Sequence, residues 1–166
     1  MIILSGITLA KLVIVMGLAI WSLLESLGLI KDFSGAKRIV GRIMNMEPIE
    51  EPPLVPTKLL NRRIANSFWH QSSTIILILL NLSSSLLLFI SIYYFFDAAM
   101  LGKIDQTGFL LWANYGIAMF ISMGFLLSFM GLWFAYYIKQ IDLMIVHFVL
   151  IILGIISAVV INFPTS

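Results

Sequence analysis

The chain has 166 residues, 61% of them hydrophobic and 11% charged, with a mean hydropathy of +1.06 and a formal net charge of +2. Soluble domains carry about 25% charged residues, so a water-soluble globule is excluded, as is intrinsic disorder, which needs the opposite balance. The basic residues are too few and too scattered for nucleic acid, and with no cysteine there is no disulfide, thiolate zinc site or iron–sulfur cluster.

A helix crosses the hydrocarbon with about 20 apolar residues, and four segments reach that length: about 7–30, 72–96, 108–138 and 143–163. None shows the alternating polar face of a membrane barrel. Lys11 and Glu25 interrupt the first segment and no A-x-A-like site follows it, so it reads as a retained crossing rather than a signal peptide. The expected fold is all-α: a polytopic membrane protein with four transmembrane helices in a single integral domain.

The connection 31–71 is the unusual one. In SGAKRIVGRIMNM, Ile39, Val40, Ile43 and Met44 fall on one helical stripe, with Lys37, Arg38 and Arg42 at polar positions. This is the pattern of a short amphipathic helix lying in the headgroup plane. EPIEEPPLVP follows, with four of the five prolines, Pro52 and Pro53 adjacent. Proline removes donors and blocks helix, so an extended strap is expected there. Leu60, Ile64 and Phe68 then recur at helical spacing and predict a helical lead-in to the second crossing.

Eleven of the eighteen charged residues lie between Lys31 and Arg63. Four crossings put both termini on one side, with Lys11 and Lys103; the other side holds Lys31, Lys37, Arg38, Arg42, Lys58, Arg62, Arg63 and Lys139. The positive-inside rule places the long first loop in the cytoplasm and both termini opposite.

AKLVIVMGLAIWSLLESLGLIKDF, then VGRIMNME, then NRRIAN, resembles the bacterial "predicted small integral membrane protein" family, a domain of unknown function. The likeness rests on Ala10 and Lys11, Asp32 and Phe33, Val40 through Glu47, and Arg63, and spans the N-terminal half. It implies four helices in a bacterial cytoplasmic membrane, no established activity, and the orientation opposite to the one the charges favour.

Few residues invite chemistry. His70 opens the second crossing and His147 lies about one turn into the fourth; both helices start on the same face, so a haem b or a quinone headgroup between the two imidazoles is conceivable. The plainer expectation is an interfacial His70 beside Trp69 and a His147 hydrogen-bonded between helices. Glu25 and Asn81 are the intramembrane polar residues; Glu25 is expected to pair with Lys31, Arg62 or Arg63. Lys11 is long enough to snorkel to the interface. Gly124 with Ser128, Ala118 with Ser122 and Gly154 with Ala158 have the small-xxx-small spacing that brings helices close. No glycine-rich phosphate loop, HExxH or nucleophile elbow occurs.

The expected role is therefore a structural or accessory subunit packed against other membrane subunits of a larger complex. It would have no catalysis or cofactor of its own, and lipid or partner contacts would run through Lys37, Arg38, Arg42, Pro52, Pro53, Arg62 and Arg63. A respiratory membrane anchor using His70 and His147 is the alternative.

Overall fold

The structure, a computed structural model, describes residues 6–164 except 101–106. Lys103 and most of the connection between the second and third crossings lie outside the described residues. In chain order the elements are α1 (Gly6–Lys31), α2 (Phe33–Met44), α3 (Glu47–Glu50), a 3₁₀ turn (Lys58–Arg62), α4 (Ser67–Met100), α5 (Thr107–Trp133), a second 3₁₀ turn (Tyr136–Ile138) and α6 (Ile141–Ile161). No strand occurs among the described residues. α1, α4, α5 and α6 are each long and apolar enough to cross a membrane, and the chain is an integral membrane protein.

The bundle is apolar on its outer surface as well as in its core, and small polar side chains are set among the buried apolar ones. Leu79, Leu86, Phe129 and Val149 face outward, where lipid costs them nothing. Small hydroxyls face inward and stitch helices together. On α4, Ser85 donates to the Ala19 carbonyl of α1 (3.0 Å), while Ser84 and Ser91 donate to the Gly116 and Phe109 carbonyls of α5 (2.9 and 2.7 Å). α4 thus sits between α1 and α5, and α6 packs mainly on α5 while also touching α1.

Two glycines of α5 let α4 come close: Gly108 against Tyr94 and, deeper in the bundle, Gly116 against Leu88. A Cβ built on Gly116 would lie 2.6 Å from Leu88 Cγ and 3.1 Å from the Leu88 amide nitrogen. Helix propensity alone favours Gly116→Ala by about 1 kcal/mol; overpacking opposes it by about 1–3 kcal/mol. Backbone cannot swing aside as a side chain can, so we expect a net loss of stability. Gly17→Ala, with nothing within 4 Å of its Cβ, should be neutral or stabilising. Paired thermal melts in detergent check both, and a Gly116→Ala protein as stable as the native one would show that the two helices separate freely. Between α5 and α6 the same device recurs: Ile151 seats over Gly124, and Ile121 over Gly154. Ala118 and Ser122 instead face outward.

The termini share one end of the bundle. Asn114 and Asn162 exchange amide hydrogen bonds there (3.1 and 2.8 Å). Lys11 does not snorkel: it is only 1% exposed, and its ammonium donates to the Phe163 carbonyl at 2.6 Å, just past the end of α6. A cation beside the last carbonyls of a helix meets the negative end of its dipole, which holds the side chain inward.

Three elements differ from expectation. The proline-rich segment is not extended throughout: it opens with the short helix α3, because Pro48 sits in the first turn, where its missing N–H costs no hydrogen bond. The third crossing is helical only to Trp133, because Ala135 takes a left-handed φ of 52° and turns Tyr136 back into the protein. The continuous lead-in helix before the second crossing does not form. The segment is a 3₁₀ turn, then extended backbone through residues 63–66, and α4 starts at Ser67. The main chain of Ile64 is committed elsewhere: its N–H donates to the Met44 carbonyl (2.9 Å) and its carbonyl accepts from His70 (2.7 Å). These bonds displace the i→i−4 pattern that helical spacing alone would predict.

Candidate functional site

The end of the bundle opposite the termini carries the ordered part of residues 32–66 together with the short α5–α6 connection. Asp32 begins it. Its amide closes α1 on the Gly28 carbonyl (3.1 Å) and its carboxylate caps α2 by accepting from the Gly35 amide (3.0 Å). One acidic residue thus ends one helix and starts the next.

α2 forms as its pattern predicts, but its buried face is Ala36, Val40 and Met44, with Ile39 61% exposed. The reason is the contact with α4. Gly41 lies against His70 so closely that a Cβ there would sit 2.7 Å from the imidazole Nδ1. The ring is buried, and a carbonyl only accepts, so Nε2 carries the hydrogen given to Ile64. Met44, Ile64 and His70 form a continuous chain of hydrogen bonds from the end of α2, through the strand-like lead-in, to the first turn of α4. Thr74 adds a bond to the His70 carbonyl (2.8 Å), and Asn66 caps α4 by accepting from the Phe68 amide (2.9 Å).

The proline-rich segment is tied down at several points. Met46 turns through a left-handed φ of 58°, α3 follows with Pro48 in its first turn, and the chain then runs without regular structure to an extended Thr57. Arg42 pairs with Glu51, and Arg63 with Glu50 at 2.8 Å. The Lys139 ammonium, from the α5–α6 connection, donates to the carbonyls of Pro53 (2.5 Å) and Glu51 (3.3 Å). The Arg62 guanidinium stacks over Trp133 at the end of α5, 5.3 Å from the ring centre. Each exposed ion pair is worth at most about 1 kcal/mol; together they join three parts of the chain in one platform. Pro52, Pro53 and Leu54 project from it, Leu54 being 72% exposed.

Beside the platform lies an open cleft of about 870 Å³, lined by Lys37, Arg38, Ile39, Gly41, Arg42 and His70 among others. It brings together three of the basic residues singled out in the sequence and one of the histidines. The other histidine belongs elsewhere. His147 Nδ1 lies 2.6 Å from the Tyr136 hydroxyl, which also donates to the Leu127 carbonyl at 3.1 Å. Burial pushes the Tyr136 phenol well above its usual range, so it stays neutral and keeps its proton. The contact ties His147 of α6 to the α5–α6 turn. His70 and His147 are thus engaged by separate partners, one by α2 and the lead-in, the other by the α5–α6 turn. Among the described residues no group of three or more His, Asp or Glu side chains is placed to hold a metal ion.

The intramembrane polar residues also part company. Glu25 is exposed on α1 and enters no ion pair among the described residues. Its expected partners Arg62 and Arg63 turn instead to Trp133 and Glu50. Asn81 is 2% exposed in α4; its amide donates to the Leu77 carbonyl at 3.2 Å, and its Oδ1 is without a partner among the described residues.

Sequence reasoning missed Ile64, whose role is played by backbone atoms, and Gly41, whose role is to lack a side chain. It also missed the reach of Lys139 to Pro53, a contact between residues far apart in sequence. The model of the family described as "predicted small integral membrane protein" matches residues 7–164, almost the whole chain rather than the N-terminal half alone, and the chain belongs to that family. No match was found among curated proteins or among solved structures.

Proposed function

We propose that this member of the predicted small integral membrane protein family is a non-catalytic accessory subunit, and that the platform formed by residues 32–66 is the surface it presents to a larger membrane protein. The observation that carries this reading is the platform itself. A proline-rich segment outside the crossings is latched by Arg42, Arg63 and Lys139, yet it holds Leu54 and the Pro52–Pro53 pair out from the protein. Ordering such a segment costs about 1–2 kcal/mol per residue in backbone entropy, and a preorganised apolar tip recovers that cost on binding. The partner is expected to offer an apolar recess at the same membrane face.

The excess of basic residues at the platform end supports a cytoplasmic placement in a bacterial inner membrane. The ammonium of Lys11, at the other end, is turned to the Phe163 carbonyl rather than to headgroups.

Purification of the full chain in a gentle detergent, followed by identification of co-purifying subunits, tests the proposal. The expected result is a stoichiometric membrane partner whose recovery falls sharply in Leu54→Asp, while the melting temperature of the variant chain is unchanged. A chain that purifies alone and monodisperse, or a partner retained equally by Leu54→Asp, overturns it.

A further inference from the structure

The cleft on α2, lined in part by Glu47 and Glu51, has a different chemistry from the apolar tip of the platform. Lys37 and Arg38 line it, and neither enters an ion pair or hydrogen bond among the described residues. The acids of the same cleft are already engaged: Glu51 by Arg42, and Glu47 by the Asn45 amide at 3.2 Å. Lys37, Arg38 and Arg42 against Glu47 and Glu51 leave the cleft one net positive charge, with Lys37 and Arg38 available to a phosphate.

The depth of the cleft narrows the class of anion. Gly41 abuts His70 in the first turn of α4, and the preceding Phe68 and Trp69 are 65% and 53% exposed. Tyr93 and Tyr94 are exposed towards the other end of the same helix. From Trp69 to Tyr93 an α-helix rises about 36 Å, a little more than the roughly 30 Å hydrocarbon core. Aromatic belts mark the two interfaces, so the cleft lies at headgroup level. Its apolar lining residue, the exposed Ile39, is suited to the first segment of an acyl chain rather than to water.

We infer that this cleft is a binding site for the headgroup of an anionic phospholipid, with Lys37 and Arg38 on the phosphate and Ile39 against the chain below it. This goes beyond the accessory role and does not depend on it: a lipid can occupy the cleft whether or not a protein covers Leu54. Arg42, committed to Glu51, keeps the inner wall of the cleft in place.

The full chain is reconstituted in nanodiscs of mixed phosphatidylglycerol and phosphatidylcholine, and the lipids it retains on release are counted by native mass spectrometry. The native protein is expected to retain phosphatidylglycerol in preference to phosphatidylcholine. Retention should fall about fivefold for each charge removed in Lys37→Gln and in Arg38→Gln, and stay at the native level in Lys58→Gln, whose side chain is exposed outside the cleft. Melting curves of the exposed-site variants confirm that each is folded. Equal retention of both lipids, or undiminished phosphatidylglycerol in Lys37→Gln and Arg38→Gln, overturns the proposal. So does quantitative displacement of the lipid by inorganic phosphate, which would make the cleft a site for a soluble anion.

Discussion

Replacing Lys11 with glutamate is expected to destabilise the bundle by about 3 kcal/mol or more, the cost of leaving a buried charge without compensation. In the native chain the ammonium is almost completely buried and donates to the Phe163 carbonyl, beside the C-terminal end of α6. A carboxylate at that site would face a carbonyl oxygen and the negative end of a helix dipole, with no donor supplied by either. Lys11→Met separates charge from packing. It fills similar space, leaves the Phe163 carbonyl to water at the bundle end, and should cost less than the glutamate variant. Both are read as the shift in unfolding midpoint of the detergent-solubilised protein. A Lys11→Glu chain within about 0.5 kcal/mol of the native one would mean that α1 and the end of α6 are not held by this contact.

The architecture was legible because one physical quantity dominates it. Twenty apolar residues in a row have few other fates than a crossing, and all four segments became helices. The helix α2 formed where the amphipathic pattern lay, but only Val40 and Met44 of the expected stripe are buried; Ile39 faces outward, and Ala36 and Gly41 take its place against α4. The failures share a cause. Leu60, Ile64 and Phe68 repeat at helical spacing, yet the Ile64 backbone serves Met44 and His70 instead. Spacing reports which side chains could share a face; it carries no information on where main-chain groups find partners in space. Lys11 and Glu25 show the same limit from the electrostatic side. Length alone allows a lysine to snorkel, and proximity in sequence suggests a partner for the glutamate. The tertiary structure brings the end of α6 to the first, and gives the arginines expected for the second to Glu50 and Trp133.

The two histidines illustrate how topology and contact differ. Starting α4 and α6 on the same membrane face follows from counting crossings, and the structure keeps that arrangement: Lys139, just before α6, reaches Pro53 in the loop that precedes α4. But α6 packs on α5, whereas α4 begins beneath α2. Each imidazole meets the irregular segment nearest to it, Ile64 in one case and Tyr136 in the other. Both act as connectors between a crossing and the chain that leads into it.

That role makes Gly41→Val the sharpest test of how the platform is held. A valine side chain at this position would enter the space of the His70 ring, since even its Cβ would lie 2.7 Å from Nδ1. Either α2 lifts from α4 or the imidazole rotates away, and both outcomes break the bond from His70 Nε2 to the Ile64 carbonyl. With an overpacking cost of about 1–3 kcal/mol, the opening equilibrium of the platform should rise about fivefold to 150-fold. Hydrogen exchange reads this directly at the Ile64 amide, which is protected by the Met44 carbonyl in the native chain. Exchange in the middle of α5 should not change, because the strain is confined to α2 and the first turn of α4. Combining Gly41→Val with His70→Ala restores the space but removes the donor to Ile64. The double variant should therefore be less perturbed than the sum of the two single ones, a coupling expected of residues in contact. Strict additivity would place α2 and His70 on independent supports, and the platform would then owe its order to the contacts of Arg42, Arg62, Arg63 and Lys139.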